Sequence, residues 1–285
     1  MLLVIHPGFP KTATTTLQHW FSQEARFAGW TIWPDPYTFA ISTGSTRRQQ
    51  GRSVFPTSSY GLKSSDTSGD QIAERSRNLA DALSSEMGVS GALISYESIL
   101  DSFSSCIDSN IQVLTATTEL LRHDFPNLRV KMLIGTRETG SLVESMTSYS
   151  INLRNENRDT RQLERLIMNE WDSERLQMFH QGDVIRRLLR VPCLTETALL
   201  PFELLTLDPK AYHHILSNVF EVDFSDLPLR GIHANQRGAR SSEHRRVRRL
   251  SGFWKFATDT YGWMQSVTDG NITNWIPAGL RRRMD

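Results

Sequence analysis

The residues best suited to chemistry follow a short apolar run at the amino terminus. That run, Leu2 to Ile5, has the continuous apolar character of a strand buried on both faces in a parallel sheet. The loop behind it contains a lysine, an alanine and four threonines, namely Lys11, Thr12, Ala13, Thr14, Thr15 and Thr16. A helical pattern starts here, so free backbone amides and the helix dipole attract an anion. Lys11 adds a positive charge and the threonine hydroxyls add hydrogen bonds, which predicts a phosphate-binding loop.

The residues before Lys11 differ from the ATP-binding pattern G-x-x-x-x-G-K-[ST]. Ile5 and Pro10 occupy the two positions at which that pattern has glycine. The difference argues against a P-loop kinase, which would also need Mg²⁺ ligands for its ATP. A nucleoside or small-molecule kinase stays open as an alternative, as does a nucleotide-binding module without activity.

A second anion-binding candidate pairs an arginine with a serine farther along the chain. Arg137 leaves the apolar run Leu128 to Gly135, which is predicted to be a strand, and Ser145 follows eight residues later in the early turns of a predicted helix. Both can reach the carboxyl edge of a parallel sheet, where the ligands of α/β proteins bind. The planar guanidinium of Arg137 suits a phosphate, although an arginine after a strand also forms surface ion pairs.

A candidate general base stands at the end of another predicted strand, Ala92 to Tyr96. Glu97 follows this strand directly, and a carboxylate there can accept the proton of a reacting hydroxyl. The alternative is a carboxylate that caps a helix or joins a salt bridge. His6 is the rival base, although its place beside the apolar first strand favours a hydrogen-bonded core histidine.

Taken together, these segments resemble the sulfotransferases that use 3'-phosphoadenosine 5'-phosphosulfate as donor. Many bacterial members carry the loop H-x-G-x-x-K-T-G-T-T-x-L-Q. The matching residues are His6, Gly8, Lys11, Thr12, Thr14, Thr15, Leu17 and Gln18. Ala13 replaces the usual glycine, so the loop loses a position with a free φ angle. Family members also carry an arginine and a serine at the spacing of Arg137 and Ser145.

The resemblance implies a role for each candidate. Lys11 would stabilise the departing phosphate, the loop threonines would hold the 5'-phosphate, and Arg137 with Ser145 would hold the 3'-phosphate. The family uses His in many members and Glu in others as base, which allows Glu97 to activate the acceptor. The implied reaction moves a sulfuryl group to a hydroxyl of a carbohydrate or small molecule, and it requires no metal.

Strand and helix patterns alternate along the chain, which favours a single α/β domain over residues 1–285. The resemblance implies a P-loop-like, three-layer α/β/α arrangement around a central parallel sheet. Besides Leu2 to Ile5, strands are predicted at Ala92 to Tyr96, at Leu128 to Gly135 and at Arg190 to Leu194. The predicted helices are Thr14 to Glu24, Asp70 to Met87, Ile111 to Arg122, Ser141 to Arg154, Gln162 to Phe179, Asp208 to Phe220 and Ser241 to Tyr261. Ser141 with Glu144 resembles a capping box at the start of its helix.

Two further segments are candidates for closing a site. Residues 42–69 form a polar insertion rich in Ser and Thr, which is read either as a lid or as an ordinary loop. Arg237 and Gly238 weakly resemble the C-terminal loop with which the sulfotransferases close the donor site. The arginines that follow, such as Arg248, are read as solvated helix positions or as contacts to an anionic acceptor.

Charge and composition restrict the partners and the setting. Thirty-two Lys and Arg stand against 31 Asp and Glu, so no global field attracts the protein to nucleic acid. Its two cysteines are too few for a disulfide framework and lack the paired spacing of a zinc site. The short apolar start lacks the basic leader of a signal peptide, and no apolar run approaches a membrane span. We therefore expect a cytoplasmic protein, whereas no pattern specifies its acceptor or its oligomeric state.

Overall fold

Strands and helices alternate along the described part of the chain. The computed structural model describes residues 1–9, 12–13, 17, 21, 30–33, 68–86, 91–96, 99–102, 106–143, 145–146, 169–170 and 172–225. The strands within these ranges are β1 Leu2–His6, β2 Trp30–Trp33, β3 Gly91–Ser95, β4 Arg129–Thr136 and β5 Leu194–Pro201. The helices are α1 Gly69–Glu86, α2 Ile107–Asp124, α3 Gln181–Leu188, α4 Leu204–Leu207 and α5 Pro209–Phe220, together with a 3-10 helix at Glu174–Phe179. Residues 139–143 and 145–146 are also helical.

The five strands form one parallel sheet in the order β2-β3-β1-β4-β5. This confirms the predicted α/β class and the central parallel sheet. From β1 the chain moves to the β2 side of the sheet, whereas from β4 it moves to β5 on the other side. The connections after these two neighbouring strands therefore diverge, and such a switch point is where open α/β sheets bind ligands.

Apolar burial explains why the central strands form. All five residues of β1 and all five of β3 are buried, and Leu3, Val4 and Ile5 are fully enclosed. Continuous apolar runs of this kind are expected where helices cover a parallel sheet. Helices α1 and α2 pack against each other, and α5 packs against β4 and β5. Phe220 of α5 contacts Phe21 at a ring-centroid distance of 5.0 Å and Trp30 of β2 at 5.7 Å.

The predicted capping box at Ser141 is wrong, because the helix begins earlier. The carboxylate of Glu138 accepts hydrogen bonds from the backbone amides of Gly140 at 2.7 Å and Ser141 at 2.6 Å. Residue 139 is already helical, and Leu142 N donates to the Glu138 carbonyl. Glu138 therefore caps this helix, since its side chain satisfies amides that lack an intrahelical partner.

Two further boundaries differ from prediction. The predicted helix Gln162 to Phe179 ends in a 3-10 helix, and residues 170, 172 and 173 before it are not helical. Asp172 and Ser173 are poor helix formers, which is consistent with this break. The strand predicted from Arg190 begins only at Leu194, since Cys193 has a left-handed φ of 68° that ends extended backbone.

Other predictions fall partly or wholly beyond the described residues. The sequence analysis contains no prediction for strand β2, although Gly29 and Pro34 flank its four residues. Of the polar insertion 42–69, only Ser68 and Gly69 are described, and they open α1, with Gln71 N donating to the Ser68 hydroxyl at 3.3 Å. The predicted helix Ser241 to Tyr261 lies outside the described residues.

Candidate active site

The three predicted motifs follow three neighbouring strands. Strand β1 leads to the phosphate loop, β3 leads to Tyr96 and Glu97, and β4 leads to Arg137. In the sheet β1 lies between the other two, with His6 paired with Ser95 and Ile5 paired with Met132. Because all three strands are parallel, their carboxyl ends lie at the same edge. Arg137 and the start of the phosphate loop thus flank the switch point.

The loop after β1 adopts a left-handed conformation at Ala13, with a φ of 66°. This is the position at which the sulfotransferase loop has glycine. A left-handed backbone costs an alanine roughly 1 to 2 kcal/mol because its Cβ crowds the following carbonyl. Helical hydrogen bonding starts at once, since Leu17 N donates to the Ala13 carbonyl at 3.0 Å. This bond has the spacing of an α-helical turn, and phosphate binding by the loop stays a prediction.

Thr12 shapes the loop from inside. Its side chain is buried, and its hydroxyl donates a hydrogen bond to the Phe9 carbonyl at 2.7 Å. A hydroxyl has one proton to donate. Because Thr12 donates it to the Phe9 carbonyl, this hydroxyl does not donate to a phosphate oxygen, contrary to the prediction from the sequence. Thr12 also lies against Gly135 of β4, where any added Cβ would come within 2.7 Å of the Thr12 hydroxyl oxygen. Thr12 therefore joins the loop after β1 to the strand that leads to Arg137.

His6 connects the ends of β1 and β3. Its Nδ1 lies 2.9 Å from the Ser95 hydroxyl oxygen, and its carbonyl accepts hydrogen bonds from Gly8 N at 3.1 Å and Tyr96 N at 3.4 Å. The ring is fully buried and meets Phe21 edge to face. Burial lowers the pKa of His6 to about 4, because the charged form loses its solvation. His6 is thus the hydrogen-bonded core histidine of the sequence analysis, neutral near pH 7 and a weak proton acceptor.

Arg137 is held through both its backbone and its side chain. The side-chain amide of Gln181 accepts from Arg137 N at 3.0 Å and donates to the Arg137 carbonyl at 2.5 Å. The guanidinium donates through Nε to the Ser141 hydroxyl at 2.9 Å, and its Cζ lies 4.3 Å from the ring centroid of Phe202. Contact of a guanidinium with an aromatic face is favourable and restricts its rotation. The sequence did not indicate Gln181 or Phe202, since neither lies near Arg137 along the chain.

Ser145 lies in the helix that begins at residue 139, eight residues beyond Arg137, and is partly buried. The amino terminus of its helix is already occupied by the Glu138 carboxylate, which bonds Gly140 N and Ser141 N. An anion near Arg137 would therefore have to use side chains, and not the free amides of this helix. The pairing of the Arg137 guanidinium with the Ser145 hydroxyl around a phosphate stays a prediction.

The remaining candidate residues lie outside the described ranges. They are Lys11, Thr14, Thr15, Thr16, Glu97, Arg237 and Gly238. Across the residues that the structure does describe, no group of three or more His, Cys, Asp or Glu is arranged to hold a metal ion. Every helix in those same ranges is too short or too polar to cross a lipid bilayer. Comparison with protein-family models and with curated proteins finds no match to this chain.

Proposed function

We propose that this protein is a sulfotransferase that uses 3'-phosphoadenosine 5'-phosphosulfate and transfers its sulfuryl group to a hydroxyl of a carbohydrate or small molecule. The observation that carries the proposal is that the two segments predicted to bind anions follow neighbouring strands at one switch point. The loop that opens after β1 and Arg137 after β4 follow neighbouring parallel strands. A donor with phosphates at both its 5' and 3' ends needs two such sites.

The loop geometry supports the same proposal. Ala13 has the left-handed backbone that suits the family's glycine, and its carbonyl accepts from the amide of the helical residue Leu17. Lys11, Thr14, Thr15 and Thr16 would bind the 5'-phosphate, and Arg137 with Ser145 would bind the 3'-phosphate. Thr12 would shape the loop and not bind the phosphate, because its hydroxyl donates to the Phe9 carbonyl. Arg237 and Gly238 would close the donor site. The proposal includes a P-loop-like, three-layer fold in one domain, and a cytoplasmic setting without a metal.

The proposed chemistry is a single displacement at sulfur. The acceptor oxygen forms a bond to sulfur while the bond from sulfur to the 5'-phosphate oxygen breaks. The acceptor proton passes to the Glu97 carboxylate, and Lys11 stabilises the negative charge that develops on the departing phosphate. Glu97 is the better proton acceptor of the two candidates, because His6 is fully enclosed and its pKa is lowered to about 4.

A nucleotide-binding module without activity is the second candidate. Ala13 favours it, since an alanine with a φ of 66° strains the loop that should hold the transferring group. Such a module would bind the same nucleotide without turnover. Measuring both binding and turnover therefore separates the two functions.

Calorimetry with adenosine 3',5'-bisphosphate tests the proposal directly. We expect binding in the absence of Mg²⁺, and we expect Lys11→Ala to weaken it and to abolish sulfuryl transfer. The matched control is Lys210→Ala, which removes an exposed lysine of α5. Binding of ATP only with Mg²⁺, without any heat from the bisphosphate, would support a kinase and refute the sulfotransferase proposal.

A further inference from the structure

Both the oxygen and the nitrogen of the Gln181 side-chain amide form a hydrogen bond with one distant residue. Gln181 is the first residue of α3 and is 2% exposed, and it bonds both the backbone N–H and the backbone carbonyl of Arg137. The two residues are 44 positions apart in the chain. A buried amide is costly unless it is hydrogen-bonded, so this pair of bonds holds Gln181 and Arg137 in one arrangement.

The two hydrogen bonds from Gln181 to the Arg137 backbone lie directly after the end of β4. Thr136 is the last residue of β4, and its carbonyl accepts from Phe202 N at 2.8 Å. Beyond it, the Gln181 amide supplies the donor and the acceptor that a neighbouring strand would otherwise supply. Arg137 therefore keeps a defined backbone direction one residue past the sheet, where loops commonly become mobile.

The direction of the backbone fixes the point from which the Arg137 side chain starts. From this anchored position the Arg137 side chain meets the Ser141 hydroxyl through Nε and the ring of Phe202 through its face. Gln181 does not touch the guanidinium in any of these contacts. Its influence on an anion would therefore pass through the backbone of Arg137.

We infer that Gln181 is a positioning residue that aims Arg137 at the 3'-phosphate and so sets the preference for nucleotides that carry this group. The inference rests on the proposed function. An arginine that is held in place before binding loses less conformational freedom when the anion arrives. Loss of the Gln181 bonds should weaken the contact to the 3'-phosphate, whereas contacts of the 5'-phosphate to the loop after β1 should be unaffected.

The experiment compares two nucleotides on a small set of variants. Calorimetry gives the Kd of adenosine 3',5'-bisphosphate and of adenosine 5'-phosphate for the wild type, Gln181→Met, Gln181→Asn and Arg137→Ala. Methionine keeps the length of glutamine without its hydrogen bonds, and asparagine keeps an amide that is too short for both bonds. Thr117→Val is the matched control, because it removes a buried hydrogen bond between Thr117 and the Val113 carbonyl in α2.

We expect Gln181→Met to weaken the bisphosphate about fivefold to tenfold and the monophosphate less than twofold. Gln181→Asn should show the same selective loss if methionine at this buried position prevents folding. Thr117→Val should lower thermal stability and leave the ratio of the two Kd values unchanged. Equal losses for both nucleotides would identify Gln181 as a purely structural residue and overturn the inference.

The same data separate this inference from the proposed function. If Arg137→Ala reduces the preference for the bisphosphate and both Gln181 variants keep it, the positioning role fails and the sulfotransferase proposal stands. If the wild type shows no preference for the bisphosphate over the monophosphate, the proposed function itself fails, and the inference fails with it.

Discussion

Gly135 and Thr12 are in such close contact that position 135 has no room for a side chain. A Cβ on Gly135 would lie 2.7 Å from the hydroxyl oxygen of Thr12 and 3.2 Å from its Cβ. Thr12 cannot easily yield, because it is buried and its hydroxyl is bonded to the Phe9 carbonyl. The loop after β1 is thereby fixed to β4, one residue before that strand ends.

Replacing this glycine should disturb the loop. We expect Gly135→Ala to lower the free energy of unfolding by about 1 to 3 kcal/mol, because overpacking forces the buried neighbour to move. Urea denaturation measures the change. Gly69→Ala is the matched control, since a Cβ at that helix start meets no atom within 4 Å and stability should change little.

A double-mutant cycle with Thr12→Gly isolates this contact. Thr12→Gly removes both of the atoms that a Cβ at 135 would strike most closely. The double variant should be more stable than the sum of the single losses predicts, with a coupling of about 1 kcal/mol. Simple additivity would show that the cost of Gly135→Ala has another origin.

Ala13→Gly should stabilise the protein. With a φ of 66°, Ala13 carries a Cβ in a backbone conformation that glycine adopts without strain. We expect the free energy of unfolding, measured by urea denaturation, to rise by roughly 0.5 to 1 kcal/mol. This is the relief of strain less the entropy that glycine, being more flexible in the unfolded chain, loses on folding. Ala73→Gly, at an exposed position of α1, should instead lose about 1 kcal/mol. A loss of stability in both variants would contradict strain at Ala13.

Burial of neutral His6 should make stability depend on pH. The pKa of His6 falls from 6.5 to about 4 in the folded state, so between these values the unfolded chain binds the additional proton. The contribution of neutral His6 to the free energy of unfolding is therefore fully present above pH 6.5 and is lost as the pH falls toward 4. The loss should reach about 2 kcal/mol between pH 7 and pH 5.

Comparison with His6→Gln identifies the source of that loss. The variant is expected to be less stable at pH 7, because the bond from His6 Nδ1 to Ser95 is altered. Its stability should nevertheless fall by about 2 kcal/mol less than that of the wild type between pH 7 and pH 5. Parallel curves for the two proteins would mean that His6 does not stay neutral on folding.

Glu97→Gln tests the proposed general base. The amide keeps the size of the side chain and removes the proton acceptor, so kcat should fall about 10² to 10⁴-fold. The Kd of adenosine 3',5'-bisphosphate and the Tm should both stay close to those of the wild type. His6→Gln serves as the comparison, because it should retain turnover at a temperature at which it is folded. A lower Tm with normal turnover for Glu97→Gln would identify a structural carboxylate.

Local patterns predicted the strands and helices well where apolar residues dominate. The run Leu2 to Ile5 predicted β1, and the runs near Ala92 and Leu128 predicted β3 and β4, because buried parallel strands are continuously apolar. Prediction failed where a side chain or a turn decides the boundary. Glu138 caps a helix that Ser141 was expected to open, and the left-handed Cys193 delays β5.

The sequence by itself determined which residues follow which strands. The lysine and threonine loop comes after β1, Glu97 after β3 and Arg137 after β4, because hydrophobic periodicity and the positions of turns are local properties of the chain. Only the tertiary structure decided that β1 lies between β3 and β4, so that these segments share one edge of the sheet. It also decided the contact of Thr12 with Gly135 and the clamp of Gln181 on Arg137, which join residues far apart in the chain. Such contacts depend on strand order and close packing, and the spacing of residues along the chain contains no signal for either.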